Sequence, residues 1–226
     1  IDDYGLLRVS GADAATLLQG QSTCDIHAIA TGTGACGALC TPKGRVIANF
    51  RVLRQKADCF YLWLARDLAE KVCKRLRMYV LRSQVTIEDL SQTHHLIGIF
   101  GQLREVGDNA NIALRIGDNS SRTMLAFDKA NADTLERVTV NMQALSSDAW
   151  RLADIAAGWP LVTAATSEEF IPQMINLDLL GGVSFNKGCY TGQEIVTRTK
   201  FLGEVKRRMY RLSGNGPLIP RPGDRM

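Results

Sequence analysis

The chain has 226 residues, 46% of them apolar and 22% charged, which gives length for a buried core in one or two domains and an ordinary globular composition. No apolar run approaches a membrane span, and length and core composition argue against a disulfide scaffold for the six cysteines. The net charge of +4 is uneven: residues 187–211 hold seven Lys or Arg against two Glu and the remainder nets −1, so an anionic ligand or partner is expected near that segment.

Leu6 to Val9 reads as a strand, and Ser10 is placed to cap a helix from Gly11 to about Gln19 that Gly20 ends. Ala35 to Cys40 and Arg45 to Arg54 read as a hairpin around Thr41-Pro42-Lys43-Gly44, with Val46, Ala48, Phe50 and Val52 on one face. Cys59 to Ala65 is a buried type of strand. Asp67 to Val80 is an amphipathic helix with Leu68, Val72, Leu76 and Val80 at helical spacing. Strands are expected at Gln84–Leu90, His94–Phe100, Ile112–Ile116 and Met124–Phe127, with a short helix after Gly101 and another at Ala132–Val138. Strand, helix, strand, strand, helix, strand is the ferredoxin-like order. Ser146 or Ser147 caps a helix running to Ala157, which Gly158 closes and Pro160 stops. Residues 159–182 look loop-rich. A short strand at Val183–Phe185, a helix at Glu194–Lys200 broken by Gly203, and a strand at Val205–Leu212 complete the pattern.

The densest chemistry lies in Asn186-Lys187-Gly188-Cys189-Tyr190-Thr191-Gly192-Gln193-Glu194. Thr191 and Glu194 have capping-box spacing, which places Cys189 just ahead of a helix N-terminus, with Lys187 two residues before it. Both features favour thiolate, so Cys189 reads either as a reactive sulfur or as a small buried hydrophobe in a Gly-punctuated turn. Cys36 and Cys40 read as core residues on one strand face. With three histidines, no CxxC pair and no ligand spacing, no intrinsic metal or cluster site is expected.

FNKGCYTGQE, Phe185 to Glu194, resembles the signature of the YgfZ family, folate-binding and iron–sulfur-related relatives of the glycine cleavage T-protein (aminomethyltransferase). Phe170-Ile171-Pro172-Gln173, Asn176-Leu177 and Leu18-Gln19-Gly20-Gln21-Ser22-Thr23 support it, so the likeness covers nearly the whole chain in order. It implies an α+β fold: a T-protein-like folate-binding body over 1–54 and 141–203, a ferredoxin-like domain at 55–140, and the start of a C-terminal β-barrel at 204–226 that Met226 leaves incomplete. The chain begins at Ile1 without Met, so a trimmed natural start is expected.

The resemblance also implies a central pocket for tetrahydrofolate or a related folate. Its aromatic contacts fall at Tyr4 and Trp150, which read otherwise as a terminal surface residue and as a core anchor on its helix, and Lys187, Arg198, Lys200, Arg207 and Arg208 are candidate anion contacts against a plain solvated basic face. Where the aminomethyltransferase branch carries paired aspartates, this chain has Ala48 and Asn49, and Ala156 stands where that branch has an acid, so orthodox aminomethyl transfer is not expected. Asp25 and Asp154 remain as single carboxylates. The expected role is an accessory factor in iron–sulfur cluster assembly or repair. It would support iron–sulfur clients such as radical-SAM enzymes that modify tRNA, with Cys189 as the working thiol in a bacterial cytoplasm. The alternatives are a folate-dependent one-carbon transferase or demethylase, and a tRNA-binding adaptor using the basic stretch at 198–211.

Overall fold

The computed structural model describes residues 1–101, 112–116, 122–140 and 142–213. Its strands and helices follow the periodicities in the sequence. β1 (Tyr4–Ser10) leads to α1 (Ala14–Gln21), then to the hairpin of β2 (Gly34–Cys40) and β3 (Val46–Lys56), and to β4 (Cys59–Ala65). A single 3-10 turn opens α2 (Ala69–Arg77), followed by β5 (Thr86–Asp89), β6 (His94–Phe100), β7 (Ile112–Ile116), β8 (Arg122–Asp128) and α3 (Ala132–Thr139). α4 (Ser147–Ala156) and α5 (Gln193–Phe201) complete the regular elements.

Two antiparallel sheets organise these elements, one in the order β2-β3-β4-β1-β5 and one in the order β6-β8-β7. The larger sheet is covered on both faces, so its strands read as near-continuous buried runs rather than strict alternation. Leu7, Val9, Phe50, Val52, Phe60 and Leu62 face a core closed by α1 and α2. Tyr4, Leu6, Leu53, Tyr61 and Trp63 face the opposite way and pack on Leu96, Met124 and Ala126 of the smaller sheet and on Trp150 of α4. The far side of the smaller sheet buries Leu125 and Phe127 against α3.

The ferredoxin-like unit expected at 55–140 does not form one sheet. β4 and β5 pair with β1 on either side of it, and only β6, β7 and β8 form the second sheet. The reason lies in β1, an apolar strand buried on both faces, which offers a hydrogen-bonding edge to each neighbour. Residues 183–185 and 204–213 carry no strand, so the expected barrel opening is not regular structure where it is described; residues 214–226 and the helix expected after Gly101 lie outside the described residues. Ser10 does not cap α1: the N-cap is Asp13, whose carboxylate instead accepts the Gln84 N–H at 2.8 Å.

One packing detail positions α4. Gly98 on β6 gives Trp150 its seat, because a Cβ there would lie 2.2 Å from the Trp150 ring. Phe100 meets the same ring edge-on at 5.5 Å. Gly98→Ala is expected to cost about 1–3 kcal/mol by overpacking and to shift the tryptophan emission; a denaturant midpoint and spectrum equal to wild type would show that α4 is not seated there.

Candidate functional site

Between the two sheets lies a network of buried charges. Arg51 projects from β3, Arg122 from β8 and Asp154 from α4, and all three are at most 8% exposed. Arg51 Nη2 and Arg122 Nη1 both donate to Asp154 Oδ1, at 2.7 and 2.8 Å. The Tyr4 hydroxyl donates to Asp154 Oδ2 at 2.6 Å and accepts from Arg51 Nη1 at 2.9 Å. Burial pushes the Tyr4 phenol well above its ordinary value, so it stays a neutral donor. Among the described residues, two guanidiniums thus share one carboxylate, which leaves one positive charge uncompensated within the network.

Backbone chemistry sets this geometry. Gly158 takes φ +68° after α4, and the Trp159 and Gly158 N–H groups return to the Asp154 and Ile155 carbonyls at 2.8 and 3.1 Å. This Schellman ending turns Trp159 back beside Asp154, and Arg51 lies 4.0 Å from the Trp159 ring centroid. Arg122 covers the Trp150 ring at 5.1 Å. Among the described residues, the buried Nε1 of both tryptophans has no partner.

Two cavities flank the network. A cavity of about 110 Å³ is bounded by Tyr4, Trp150, Asp154 and Trp159. A larger one, about 410 Å³, is bounded by Arg51, Arg115, Arg122 and Trp159 together with Cys36 and Leu180. The described lining of the larger cavity contains three arginines and no carboxylate.

The cysteine motif is built elsewhere. The Lys187 ammonium is buried and donates to three backbone carbonyls, those of Gln19, Ser22 and Cys24, at 2.7, 2.8 and 2.8 Å. Burial lowers its pKa to about 8, against the pull of the neighbouring Asp25 charge and the Cys24 sulfur. The Thr23 hydroxyl donates to the Gly182 carbonyl at 2.6 Å, and the Thr191 N–H meets the Gly20 carbonyl at 3.2 Å. The two sequence motifs, at 18–23 and 185–194, therefore form one locked unit with the residues beside them.

Gly192, at φ +87°, is the N-cap of α5, and a Cβ on it would lie 2.4 Å from the Thr41 carbonyl oxygen. The expected capping box is not formed. Gln193 rather than Glu194 reaches back, its Oε1 accepting the Tyr190 N–H at 3.2 Å, while the Thr191 hydroxyl turns to Gln21 Oε1 at 3.3 Å. The helix starts one residue later than the box requires: with Gly192 as N-cap, Glu194 falls at the second helical position rather than the third. Upstream, Gln173 holds the helix by donating to the Val196 carbonyl at 2.7 Å.

Of the six cysteines, Cys189 is exposed, whereas Cys24, Cys40 and Cys73 are buried and Cys36 and Cys59 are partly covered. Burial pushes the Cys24 and Cys36 thiols up to about 12 and about 11.

The T-protein architecture is seen directly in a solved structure. The aminomethyltransferase of the glycine cleavage system from Bartonella henselae superposes with a TM-score of 0.65 at 14% identity, over 90% of this chain and 62% of its own length. Residues 1–105 match the GCVT N-terminal domain. The tRNA-modifying protein YgfZ of Photorhabdus laumondii is 36% identical over 99% of this chain and 73% of its own length, and that of an Enterobacter species 34% over 99% and 74%. The chain belongs to the YgfZ family.

Within this YgfZ-family chain the expected contacts divide into separate places. Tyr4 and Trp150 come together, but at the smaller cavity and with their rings already covered. Lys187 has its three N–H groups on carbonyls, and Arg198 is exposed on α5. Arg208 pairs with Asp178 at 2.8 Å. Asn49 is a staple, donating to the Pro160 carbonyl and accepting the Val162 N–H at 2.7 and 2.8 Å, and Asp25 Oδ1 caps the turn at His27 and Ala28. Sequence reasoning missed Arg51, Arg122 and Trp159. A signal existed for the first: Asn49 and Arg51 alternate with Ile47 and Leu53 on the strand face opposite Val46, Ala48, Phe50 and Val52. No described helix is long and apolar enough to cross a membrane.

Lys187→Met keeps the stem and removes three donors. It is expected to cost on the order of 3 kcal/mol by stranding buried carbonyls, with Arg at this position also failing to restore stability. Chemical denaturation giving a loss under about 0.5 kcal/mol would mean that water replaces the ammonium.

Proposed function

We propose that the chain is a folate-binding accessory factor for tRNA modification, acting through the upkeep of iron–sulfur clients such as radical-SAM enzymes. The observation that carries the folate reading is the uncompensated arginine charge facing the larger cavity. A folate carries an anionic glutamate tail, and guanidinium forks match carboxylates in geometry and charge. The cavity volume falls within the range of small-molecule sites, about 300–1,000 Å³, and Trp159 forms part of its wall. Arg122, Arg51 and Arg115 would hold the anionic end, with Trp159 stacked on Arg51 to keep that guanidinium in place. When bound, a reduced folate supplies a carrier for one-carbon units. The chain's own part is to bind and orient it and to keep water out between the sheets.

Support for the tRNA link comes from the relatives, which are named tRNA-modifying proteins. An accessory role is favoured over folate-dependent transfer because the described cavity lining offers no carboxylate to move a proton, and Asp154 is engaged by two arginines and a tyrosine. Cys189 is the proposed working thiol. It is exposed on a rigid loop and so available to a protein partner, in a cytoplasmic setting where thiols stay reduced.

Calorimetric titration with tetrahydrofolate tests this directly. Wild type and Cys189→Ala are expected to bind equally, and Arg122→Met more than about tenfold more weakly, a loss of at least ~1.4 kcal/mol. In cells lacking the native protein, Cys189→Ala should fold yet fail to restore tRNA methylthiolation. Absence of saturable binding to wild type would remove folate, and full restoration by the alanine protein would remove the thiol.

A further inference from the structure

A broad, open concavity of about 890 Å³ runs between α1 and the turn after α2, lined by Thr16, Gly20, Gln21, Tyr79, Leu81 and Arg82 among others. It opens beside the Cys189 loop, since Gly20 and Gln21 are the residues that Thr191 contacts. Its carboxylate, Asp13, is occupied by the Gln84 N–H. α2 closes the same side: Arg75 Nη2 reaches the Cys40 carbonyl at 3.3 Å, and its guanidinium lies 5.7 Å from the Tyr79 ring centroid.

Arg82 lines the groove, and Arg75 and Arg77 flank it on α2, Arg75 reaching the Cys40 carbonyl and Arg77 the Ile87 carbonyl. Lys71 and Lys74 pair with Glu168 and Glu70, whereas among the described residues Arg75, Arg77 and Arg82 pair with no carboxylate. Beside them the chain holds apolar groups out in water. Tyr79 is 38% exposed, and Leu81 is 89% exposed at φ +43°, a backbone region a leucine rarely takes. Strain of this kind persists where the surroundings impose it, most often at functional surfaces. On the other flank of the loop, Lys200 of α5 lies 5.6 Å from the Phe185 ring centroid.

We propose that this groove binds an RNA loop: the arginines take its phosphates, Tyr79 stacks an unpaired base, and the RNA is brought to the edge of the Cys189 loop. The inference rests on the reading of the chain as a factor for tRNA modification. Unpaired arginines recognise phosphate as a fork, and an exposed aromatic ring flanked by a guanidinium is a stacking platform for splayed bases. A protein-docking face would instead present an apolar centre depleted of charge. Here Leu17, Tyr79 and Leu81 alternate around the groove with the polar Thr16, Gln21, Arg82 and Ser83, so no charge-free apolar centre forms.

The test is fluorescence anisotropy of the full chain with an unmodified tRNA transcript at several salt concentrations. The variants are Arg82→Glu with Tyr79→Ala, and Lys56→Glu at the far end of β3 as a charge control. The double variant is expected to bind more than about tenfold more weakly, the loss of one stacked base and one phosphate contact, with a salt slope shallower by about 0.7–0.9. Lys56→Glu should change affinity less than about twofold, and tetrahydrofolate should bind all three proteins alike. Unchanged affinity in the double variant, or equal loss in the control, would overturn the groove as the RNA site. So would wild type that binds no tRNA at low salt, while saturable folate binding by the same protein would leave the cofactor reading standing. In that case a double variant that fails to restore tRNA modification in cells would assign the groove to a protein partner.

Discussion

One carboxylate shared by two buried guanidiniums is the constraint on which the space between the sheets depends. The two nitrogens on Asp154 Oδ1 lie within about 5.5 Å of each other, and unit charges at that spacing repel by roughly 3 kcal/mol at an effective dielectric near 20. The three charged groups come from three elements, β3, β8 and α4, so the network ties both sheets and the helix together. Burial of unequal charge is costly unless further groups compensate. Tyr4 and the two indole faces offset part of that cost through a neutral hydrogen bond and cation–π contacts. The remainder is one positive charge that no described carboxylate of the cavity lining balances, which is the basis of the proposal that the cavity takes an anion.

The second constraint is the lysine lock, and it separates the thiol from the cavity. Lys187 and Thr23 bind the 182–194 segment to the chain after α1, and Gly192 fits against the turn at Thr41. Those contacts gather at the Cys40 end of β2. The larger cavity takes its residues from the Gly34 end. Six residue steps of strand at about 3.3 Å each put the two ends on the order of 20 Å apart. The proposed ligand cavity and the loop of the proposed thiol thus lie toward different ends of β2, which suits the proposed factor that presents a thiol to another macromolecule better than one that runs a reaction within its own cavity.

Much of the fold was legible because local pattern and burial agree. The hairpin at Thr41–Gly44, the amphipathic α2 and the Gly158 stop all stand where period and turn chemistry put them. The sheet assignment was not legible. A βαββαβ order from Cys59 onward fits a separate domain, and nothing local says that β1 accepts β4 on one edge and β5 on the other. At the site, the cysteine motif stood out by composition, but the role of Lys187 is set by carbonyls more than 160 residues away in sequence, which no spacing reveals. Arg122 had no signal at all, since arginine at a strand start is ordinarily solvated.

The most direct measurement compares the melting temperature of the protein with tetrahydrofolate and with a tetrahydropterin lacking the glutamate tail, each at the same saturating concentration. If the surplus arginine charge is the binding determinant, the tailed compound raises the midpoint, by an amount that grows with the logarithm of its concentration over Kd, and the tail-less one leaves it within error of the unliganded protein. Equal stabilisation by the two would contradict that, and would place the recognition in the pterin ring rather than in the buried arginines.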